Sequence, residues 1–179
     1  SFPTRRSSDL ADGYYTANDF DSNGKLNANL PQPRFGRVAP GDIKYKDYNN
    51  DQVVDENDAH PIGNSTVPAW NYMFSGGFKY KGFDFSVMFQ GVAQRDIYLR
   101  GANIYSFQNN GTASNLALDS WTPTHTDASY PRLSTMNFSN NYRTSTFWRR
   151  NGSFLRLRNV QVGYELANSV TRALRLSSV

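Results

Sequence analysis

A run of acidic and amide side chains between residues 47 and 58 has the spacing of a calcium-binding loop. Hard cations such as Ca2+ take six to eight oxygen ligands, and one twelve-residue loop can supply them from positions 1, 3, 5, 7, 9 and 12. In this sequence those positions are Asp47, Asn49, Asp51, the carbonyl group of Val53, Asp55 and Asp58. We therefore predict a metal site on these residues, with Ca2+ as a structural ion.

Two residues of this loop depart from the usual pattern. Position 6 is Gln52, where the sharp turn prefers glycine, and position 12 is Asp58, which is shorter than the usual bidentate glutamate. No amphipathic helix flanks the loop on either side, so an EF-hand is not expected. The alternative interpretation is a solvated acidic turn, because Asp and Asn favour loops by themselves.

Aromatic rings close to hydrogen-bonding side chains are the second set of candidates. Rings can stack on the apolar faces of sugars and peptides while polar groups bond their edges. The residues predicted to bind substrate in this way are Trp121, Tyr130, Arg132 and Trp148. The alternative is that these rings pack the loops against each other.

Catalytic groupings are missing from the sequence. There is no Gly-x-Ser-x-Gly, no glycine-rich phosphate loop and no Ser/His/Asp set. His60 and His125 are far apart, and neither has a second ligand at metal spacing. The net charge is +4, but the basic residues are scattered instead of forming a stripe. We expect neither an enzyme nor a nucleic-acid-binding protein.

The strands that would hold these loops show an alternation of apolar and polar residues. Aromatic residues fall on one parity in residues 71–80 and again in residues 83–90, on either side of Lys81-Gly82. Period-two alternation around a short glycine-containing turn predicts a β-hairpin. Rings near both ends of each strand are typical of the aromatic girdles of a transmembrane barrel, and the core face of a soluble sandwich is the alternative.

A further strand is predicted over residues 153–166. Its apolar residues in 155–157 and in 160–166 fall on opposite parities. One slip near Arg158-Asn159 brings both halves to the same face. The sequence therefore predicts a β-bulge at this point, or a strand that continues beyond the bilayer.

The fold class that follows is all-β, with antiparallel transmembrane β-barrel strands and long extracellular loops. A connection as long as residues 94–152 argues against a compact soluble domain, whereas outer-membrane barrels combine short periplasmic turns with long outer loops. With Lys81-Gly82 as a periplasmic turn, the Asp-rich loop lies outside the cell. The predicted segments are a non-native, adapter-like stretch 1–10, a loop 11–70, a hairpin 71–93, an extracellular loop 94–152, a strand 153–166 and a truncated strand 175–179.

Four stretches taken in order resemble the C-terminal barrel region of SusC/RagA-type TonB-dependent outer-membrane importers of Bacteroidetes. They are residues 40–58 with Ile62-Gly63, residues 77–86 with 89–91, residues 120–123 with 130–132, and Phe147-Trp148 with residues 152–164. Many relatives have Asp-Gly where this chain has Asp51-Gln52.

This resemblance implies a 22-stranded barrel, a plug domain, a TonB box and a SusD-like surface lipoprotein as partner. It also implies an outer-membrane location in contact with lipid, and uptake of oligosaccharide or peptide substrates. A secreted β-rich carbohydrate-binding module with a calcium-stabilised loop is the alternative from another class.

Overall fold

The computed structural model describes residues 7–135 and 140–166. It divides the chain into two compact units. The first, the sheet unit, comprises residues 65–95 and 152–166 of the described chain. The second, the loop unit, comprises residues 7–64, 96–135 and 140–151. The predicted strand 175–179 and the first six residues of the adapter-like stretch lie outside the described residues.

The described residues form β-strands and short 3-10 helices, with no α-helix among them. The strands are β1 (Ser7–Ser8), β2 (Ala11–Tyr14), β3 (Gln32–Pro33), β4 (Ile43–Tyr45), β5 (Val53–Val54), β6 (His60–Pro61), β7 (Trp70–Tyr80), β8 (Phe83–Ala93), β9 (Asp96–Tyr98), β10 (Arg149–Asn151) and β11 (Phe154–Tyr164). The 3-10 helices are Ala17–Asp19, Glu56–Asp58, Gln108–Asn110, Asn115–Asp119 and Asn140–Tyr142. None of the described helices has the length and apolar character needed to cross a membrane.

The sheet unit is a three-stranded antiparallel sheet in the order β11-β8-β7. β7 and β8 pair from Trp70↔Ala93 to Tyr80↔Phe83, which confirms the predicted hairpin. Lys81 (φ 48°) and Gly82 (φ 81°) form the two-residue turn between them. Positive φ at both central residues matches a type I′ turn, whose twist suits the two strands.

The two faces of this sheet differ sharply in chemistry. Cross-strand register assigns one face to Trp70, Tyr72, Phe74, Gly76, Phe78, Tyr80, Phe83, Phe85, Val87, Phe89, Gly91, Ala93, Leu155, Leu157, Val160, Val162 and Tyr164. This apolar face has no charged residue. The opposite, polar face presents Asn71, Ser75, Lys79, Asp84, Ser86, Gln90, Arg156, Asn159 and Gln161, together with Met73, Met88, Val92 and Phe154.

A β-bulge at Arg158 keeps β11 in phase with its neighbour. The register steps from Leu157↔Phe89 to Asn159↔Met88, so that Arg158 is the extra residue. This confirms the predicted bulge, and its effect is the one expected from parity. Without it, one half of β11 would turn its apolar side chains to the polar face.

The loop unit combines the two segments that the sequence predicted as separate loops. Its strands are short, and β3 pairs with β5 in parallel while β2 pairs with β4 in antiparallel orientation. One hydrophobic cluster contains Ile43, Tyr45, Val54, Tyr105 and Trp148, and a second contains Tyr15, Leu26 and Val38. The first cluster therefore combines residues that precede the hairpin in sequence with residues that follow it, and no local periodicity predicts this contact.

The last residues of the adapter-like stretch are integrated in this unit. Ser8 and Asp9 are buried, and Asp9 forms an ion pair with Arg143 through Nε and Oδ2 at 2.6 Å. Backbone hydrogen bonds join Asp9 to residues 144 and 146. The non-native origin of residues 1–10 stays a prediction. Asp9 itself contributes an ion pair and backbone hydrogen bonds to the loop unit.

Candidate functional site

The carboxylate of Asp58 closes the Asp-rich loop. Its Oδ1 accepts the backbone N–H groups of Tyr48 (2.8 Å) and Asn49 (3.3 Å), and its Oδ2 accepts that of Asp55 (2.9 Å). Asp58 is buried. Position 12 of the loop is thus tied to both of its ends by hydrogen bonds that a charged acceptor strengthens.

Asp47 supports the same loop from position 1. Its Oδ2 accepts the N–H of Gln52 at 2.8 Å, while its buried Oδ1 has no hydrogen-bond partner among the described residues. Within the loop, Asp51 Oδ1 accepts the N–H of Val53 and Asp55 Oδ1 accepts the N–H of Asn57. The acidic side chains thus accept hydrogen bonds from backbone N–H groups in turns.

The fit of this loop to a cation is partial. The free Oδ1 of Asp47 is the kind of atom that a cation satisfies. In the described part of the chain, however, no three acidic or histidine side chains come together as a metal cage. Val53 lies in β5, beside β3, and Asn49 bonds to Asp51 instead of pointing at a shared centre. Calcium binding stays a prediction for this loop.

Gln52 occupies a backbone conformation that suits glycine. Its φ is 67°, in the left-handed region, where a Cβ atom meets steric repulsion. We expect Gln52→Gly to stabilise the loop by about 1 kcal/mol, because the Gln52 N–H to Asp47 bond needs no side chain. Hydrogen–deuterium exchange of residues 47–58 in the full-length protein measures this. As control, Gln32→Gly, in extended β3, is expected to destabilise; faster exchange in Gln52→Gly would contradict the prediction.

The structure brings the four predicted substrate-binding residues into one part of the loop unit. The Trp148 ring packs edge-on against Tyr105, at 5.1 Å between ring centroids, and lies 6.1 Å from Tyr130. Its indole Nε1 donates to the carbonyl of Asn141 at 2.8 Å, and only 2% of the residue is exposed. Burial of this order leaves the indole no face on which a substrate could stack.

Trp121 is held by backbone contacts. Its N–H donates to the carbonyl of Tyr130 at 2.9 Å, and its ring covers Gly41 so closely that a Cβ at that position would overlap it. Gly41 also has φ 87°, so glycine is required there for two reasons. Trp121 therefore packs one loop against another, as the alternative interpretation states.

Arg132 forms a bidentate ion pair with Asp42. The guanidinium donates from Nε to Oδ1 at 2.7 Å and from Nη2 to Oδ2 at 3.1 Å. Asp42 is fully buried and also accepts hydrogen bonds from Asn141 Nδ2 (2.9 Å) and the N–H of Ala39 (2.8 Å). Four donors therefore compensate this buried carboxylate, which is the condition for burying a charge.

The cavity between these groups is small. Its volume is about 30 Å3, and its lining includes Tyr105, Tyr130, Arg132, Asn141 and Trp148. Small-molecule sites usually measure about 300–1,000 Å3, so this space suits a water molecule and excludes a sugar ring. Substrate contact by the four residues stays a prediction, and in this geometry it is limited to the exposed edges of Tyr130 and Arg132.

Two buried asparagines beside this cavity were not identified from the sequence. Asn140 and Asn141 are buried; Asn141 Oδ1 accepts the N–H of Ile43 at 2.9 Å, and Asn140 Nδ2 donates to the Ile43 carbonyl at 2.8 Å. Burial also raises the pKa of the Tyr105 hydroxyl. The ring of Tyr105 stacks on the ring of Tyr142. An Asn pair in an Asn-rich chain carries no signal of burial, so only the structure could identify it.

His125 lies between two carboxylates on the surface of the loop unit. Its Nε2 is 2.9 Å from Asp119 Oδ1, and its Nδ1 is 3.3 Å from Asp127 Oδ1. The hydrogen bond to Asp119 raises the pKa of His125 and lowers that of Asp119. Both shifts favour the charged pair, which closes the turn between residues 119 and 127.

This pair gives the turn a pH window. Because the pKa of His125 is raised, its pairing with Asp119 stabilises the turn fully below pH 6.5, the ordinary pKa of histidine. This stabilisation is lost as the pH rises through the raised pKa. The lowered pKa of Asp119 means its contribution is present above 3.8 and is lost as pH falls further. Diethylpyrocarbonate labelling of the full-length protein, read by mass spectrometry against pH, should place the His125 midpoint above 6.5. Asp119→Asn should lower the midpoint, and an unchanged midpoint would contradict the pairing.

Comparisons with known proteins agree with the resemblance found in the sequence. The chain is 27% identical over 147 residues to TonB-dependent receptor P3 of Formosa agariphila, covering 80% of this chain and 14% of that receptor. The fold matches the RagAB peptide importer in its closed-closed state, with TM-score 0.58, 16% identity, 94% of this chain and 17% of that chain. The open-open state gives TM-score 0.55 and 21% identity over 96% of this chain and 17% of that chain.

No family model matches the sequence. The chain spans about one seventh of the curated receptor that it matches. Together these findings confirm the likeness to a SusC/RagA-type fragment. They also confirm the all-β fold class, in which the three long strands β7, β8 and β11 pair in antiparallel orientation.

Proposed function

We propose that this chain is part of the barrel region of an outer-membrane, TonB-dependent importer. Its three long strands would cross the membrane within a 22-stranded barrel, and the loop unit would lie outside the cell. Such a protein moves its substrate and breaks no bonds, so we do not assign it an enzymatic activity.

The observation that carries this proposal is the sheet with one apolar face. β7, β8 and β11 are each 11 residues long, the length with which tilted strands span a bilayer. On the apolar face Phe74, Phe78 and Val162 are each more than half exposed. A soluble protein rarely leaves so large an apolar surface in water, whereas lipid covers it at no cost.

The substrate and the partner follow from the same relationship. The RagAB structures are those of a peptide importer, and a SusD-like lipoprotein is the partner that the resemblance implies. We propose that such a lipoprotein delivers oligosaccharides or peptides to the loop unit, and that TonB drives their release inward. The stacked rings of the loop unit would form a rigid base for that contact.

Cell fractionation of the full-length protein tests the location. We expect recovery in the outer membrane, with migration in gels that changes on boiling, as folded barrels show. The alternative, a secreted β-rich binding module, predicts recovery in the soluble secreted fraction, and that result would reject the importer. Uptake of labelled oligosaccharides and of labelled peptides by cells with and without the gene then decides between the two substrate classes.

Calcium in the Asp-rich loop is a separate proposal. The ion would tie residues 47–58 together as a structural element, and the unpartnered Oδ1 of Asp47 supports a ligand there. Titration calorimetry on the full-length protein should show binding that is lost in the Asp51→Ala, Asp55→Ala double variant. Equal heats from the variant and the wild type would remove the site.

A further inference from the structure

Two guanidinium groups meet on the polar face of the sheet unit. Arg156 Nη2 and Arg158 Nη1 both donate to Oε1 of Gln90, at 3.1 Å and 2.8 Å. The bulge at Arg158 produces this meeting, because the inserted residue sets a second arginine beside the same partner on β8. One neutral oxygen is thus shared by two positive charges.

The donors of this pair exceed their acceptors. A guanidinium has five N–H donors and no acceptor, and an amide oxygen offers two lone pairs. Gln90 can therefore satisfy only one donor of each arginine. Since arginine only donates, the amide oxygen must face the pair. Arg156 also lies 5.4 Å from the Phe154 ring, which adds a weak cation–π contact but no hydrogen-bond acceptor.

In the described part of the chain, no carboxylate forms an ion pair with either arginine. None of the ion pairs among the described residues involves Arg156 or Arg158, and the sequence outside the described ranges contains no Asp or Glu. In the sheet unit the acids are Asp84, which pairs with Lys79 at 3.6 Å, and Glu165. Asp84 is six residues from Gln90 along β8, about 20 Å at the rise of a strand.

We propose that Arg156 and Arg158 form a carboxylate-binding site that an Asp or Glu side chain of the same full-length polypeptide occupies. This inference rests on the proposed function: if lipid covers the apolar face, the polar face lines the inside of a barrel, and the chain is part of a longer polypeptide. Two fixed like charges in a confined space need a permanent counter-ion. A side chain of the same protein is always present, whereas cargo is not.

The geometry of the site suits a carboxylate. Each guanidinium can present two parallel N–H donors, and a carboxylate accepts such a pair with its two oxygens. Gln90 accepts one hydrogen bond from each arginine, which holds the two guanidinium groups close together. An anion held there would stabilise the contact between β11 and the segment that carries it.

Zero-length cross-linking of the full-length protein in outer-membrane vesicles tests the proposal. The Arg158→Lys variant keeps the charge and adds an amine that carbodiimide can couple to a touching carboxylate. We expect mass spectrometry to find an amide between position 158 and an Asp or Glu outside residues 1–179. The native pair Lys79–Asp84 serves as positive control, and Gln161→Lys, on the same face of β11, is the matched control that should give no such link.

Three outcomes would overturn the inference. The first is coupling of Lys79 to Asp84 with no product at position 158. The second is a product at position 158 only after an acidic peptide is added, which would assign the carboxylate to cargo. The third is equal cross-linking from Gln161→Lys. Failure of the proposed function would be seen earlier and separately, as absence of the wild-type protein from the outer-membrane fraction.

Discussion

Replacement of Arg132 by methionine is expected to lower the free energy of local unfolding of the loop unit by about 3–5 kcal/mol. Asp42 is fully buried, and Arg132 supplies two of its four hydrogen bonds and its only ion-pair partner among the described residues. Without the guanidinium, a desolvated charge would face only Asn141 and the N–H of Ala39. Hydrogen–deuterium exchange of the full-length protein, followed at residues 39–45 and 130–135, measures the loss.

The double variant Asp42→Asn, Arg132→Met separates charge from packing. A neutral amide at position 42 removes the uncompensated charge while its oxygen keeps accepting from Asn141, so we expect the double variant to recover part of the lost stability. Arg150→Met is the matched control, since Arg150 is exposed and donates only to carbonyl groups near it. If amide exchange at these residues were no faster in Arg132→Met than in Arg150→Met, the buried ion pair would not stabilise the loop unit.

The hairpin of the sheet unit could be predicted from sequence because its determinants are local. Alternating residues define the two faces, Lys81-Gly82 defines the turn, and both signals lie within the segment that folds. The bulge at Arg158 was also predictable, since a change of parity within one strand has few structural solutions.

The core of the loop unit could not be predicted, because its contacts join residues far apart in sequence. The hydroxyl group of Tyr45 donates to the carbonyl of Asn140, 95 residues away, at 2.8 Å. Asp42 and Arg132 are 90 residues apart. Short strands and 3-10 turns give no period from which such partners can be found, so the polar composition of these segments indicates only loops.

The Asp-rich loop shows a different limit of sequence reasoning. In the structure the side chains of Asp47 and Asp58 both accept hydrogen bonds from the backbone of this loop, while calcium binding stays a prediction. The same spacing of residues serves two purposes, because Asp and Asn that could bind a cation also accept N–H groups in turns. Only the direction of each oxygen separates these roles, and a sequence does not contain directions.

Trp148→Ala is the second large effect that we expect, at about 3–5 kcal/mol of local stability. The indole is 2% exposed and packs edge-on against Phe147 and Tyr105, with centroids 4.8 Å and 5.1 Å away. Its removal would leave a cavity in the hydrophobic cluster that Trp148 forms with Ile43, Tyr45, Val54 and Tyr105. Exchange of residues 99–105 and 140–148 in the full-length protein is the measurement, and Leu118→Ala, at a side chain 88% exposed, is the control.

A milder change at the same position distinguishes packing from substrate contact. Trp148→Phe keeps an aromatic ring but leaves the buried carbonyl of Asn141 without its indole donor, which costs about 1–3 kcal/mol. If Trp148 is structural, uptake should fall in proportion to the lost stability and recover at lower temperature, where the loop unit remains folded. A loss of uptake with no change in exchange would mean that the indole contacts substrate directly, and it would overturn the packing role that its burial indicates.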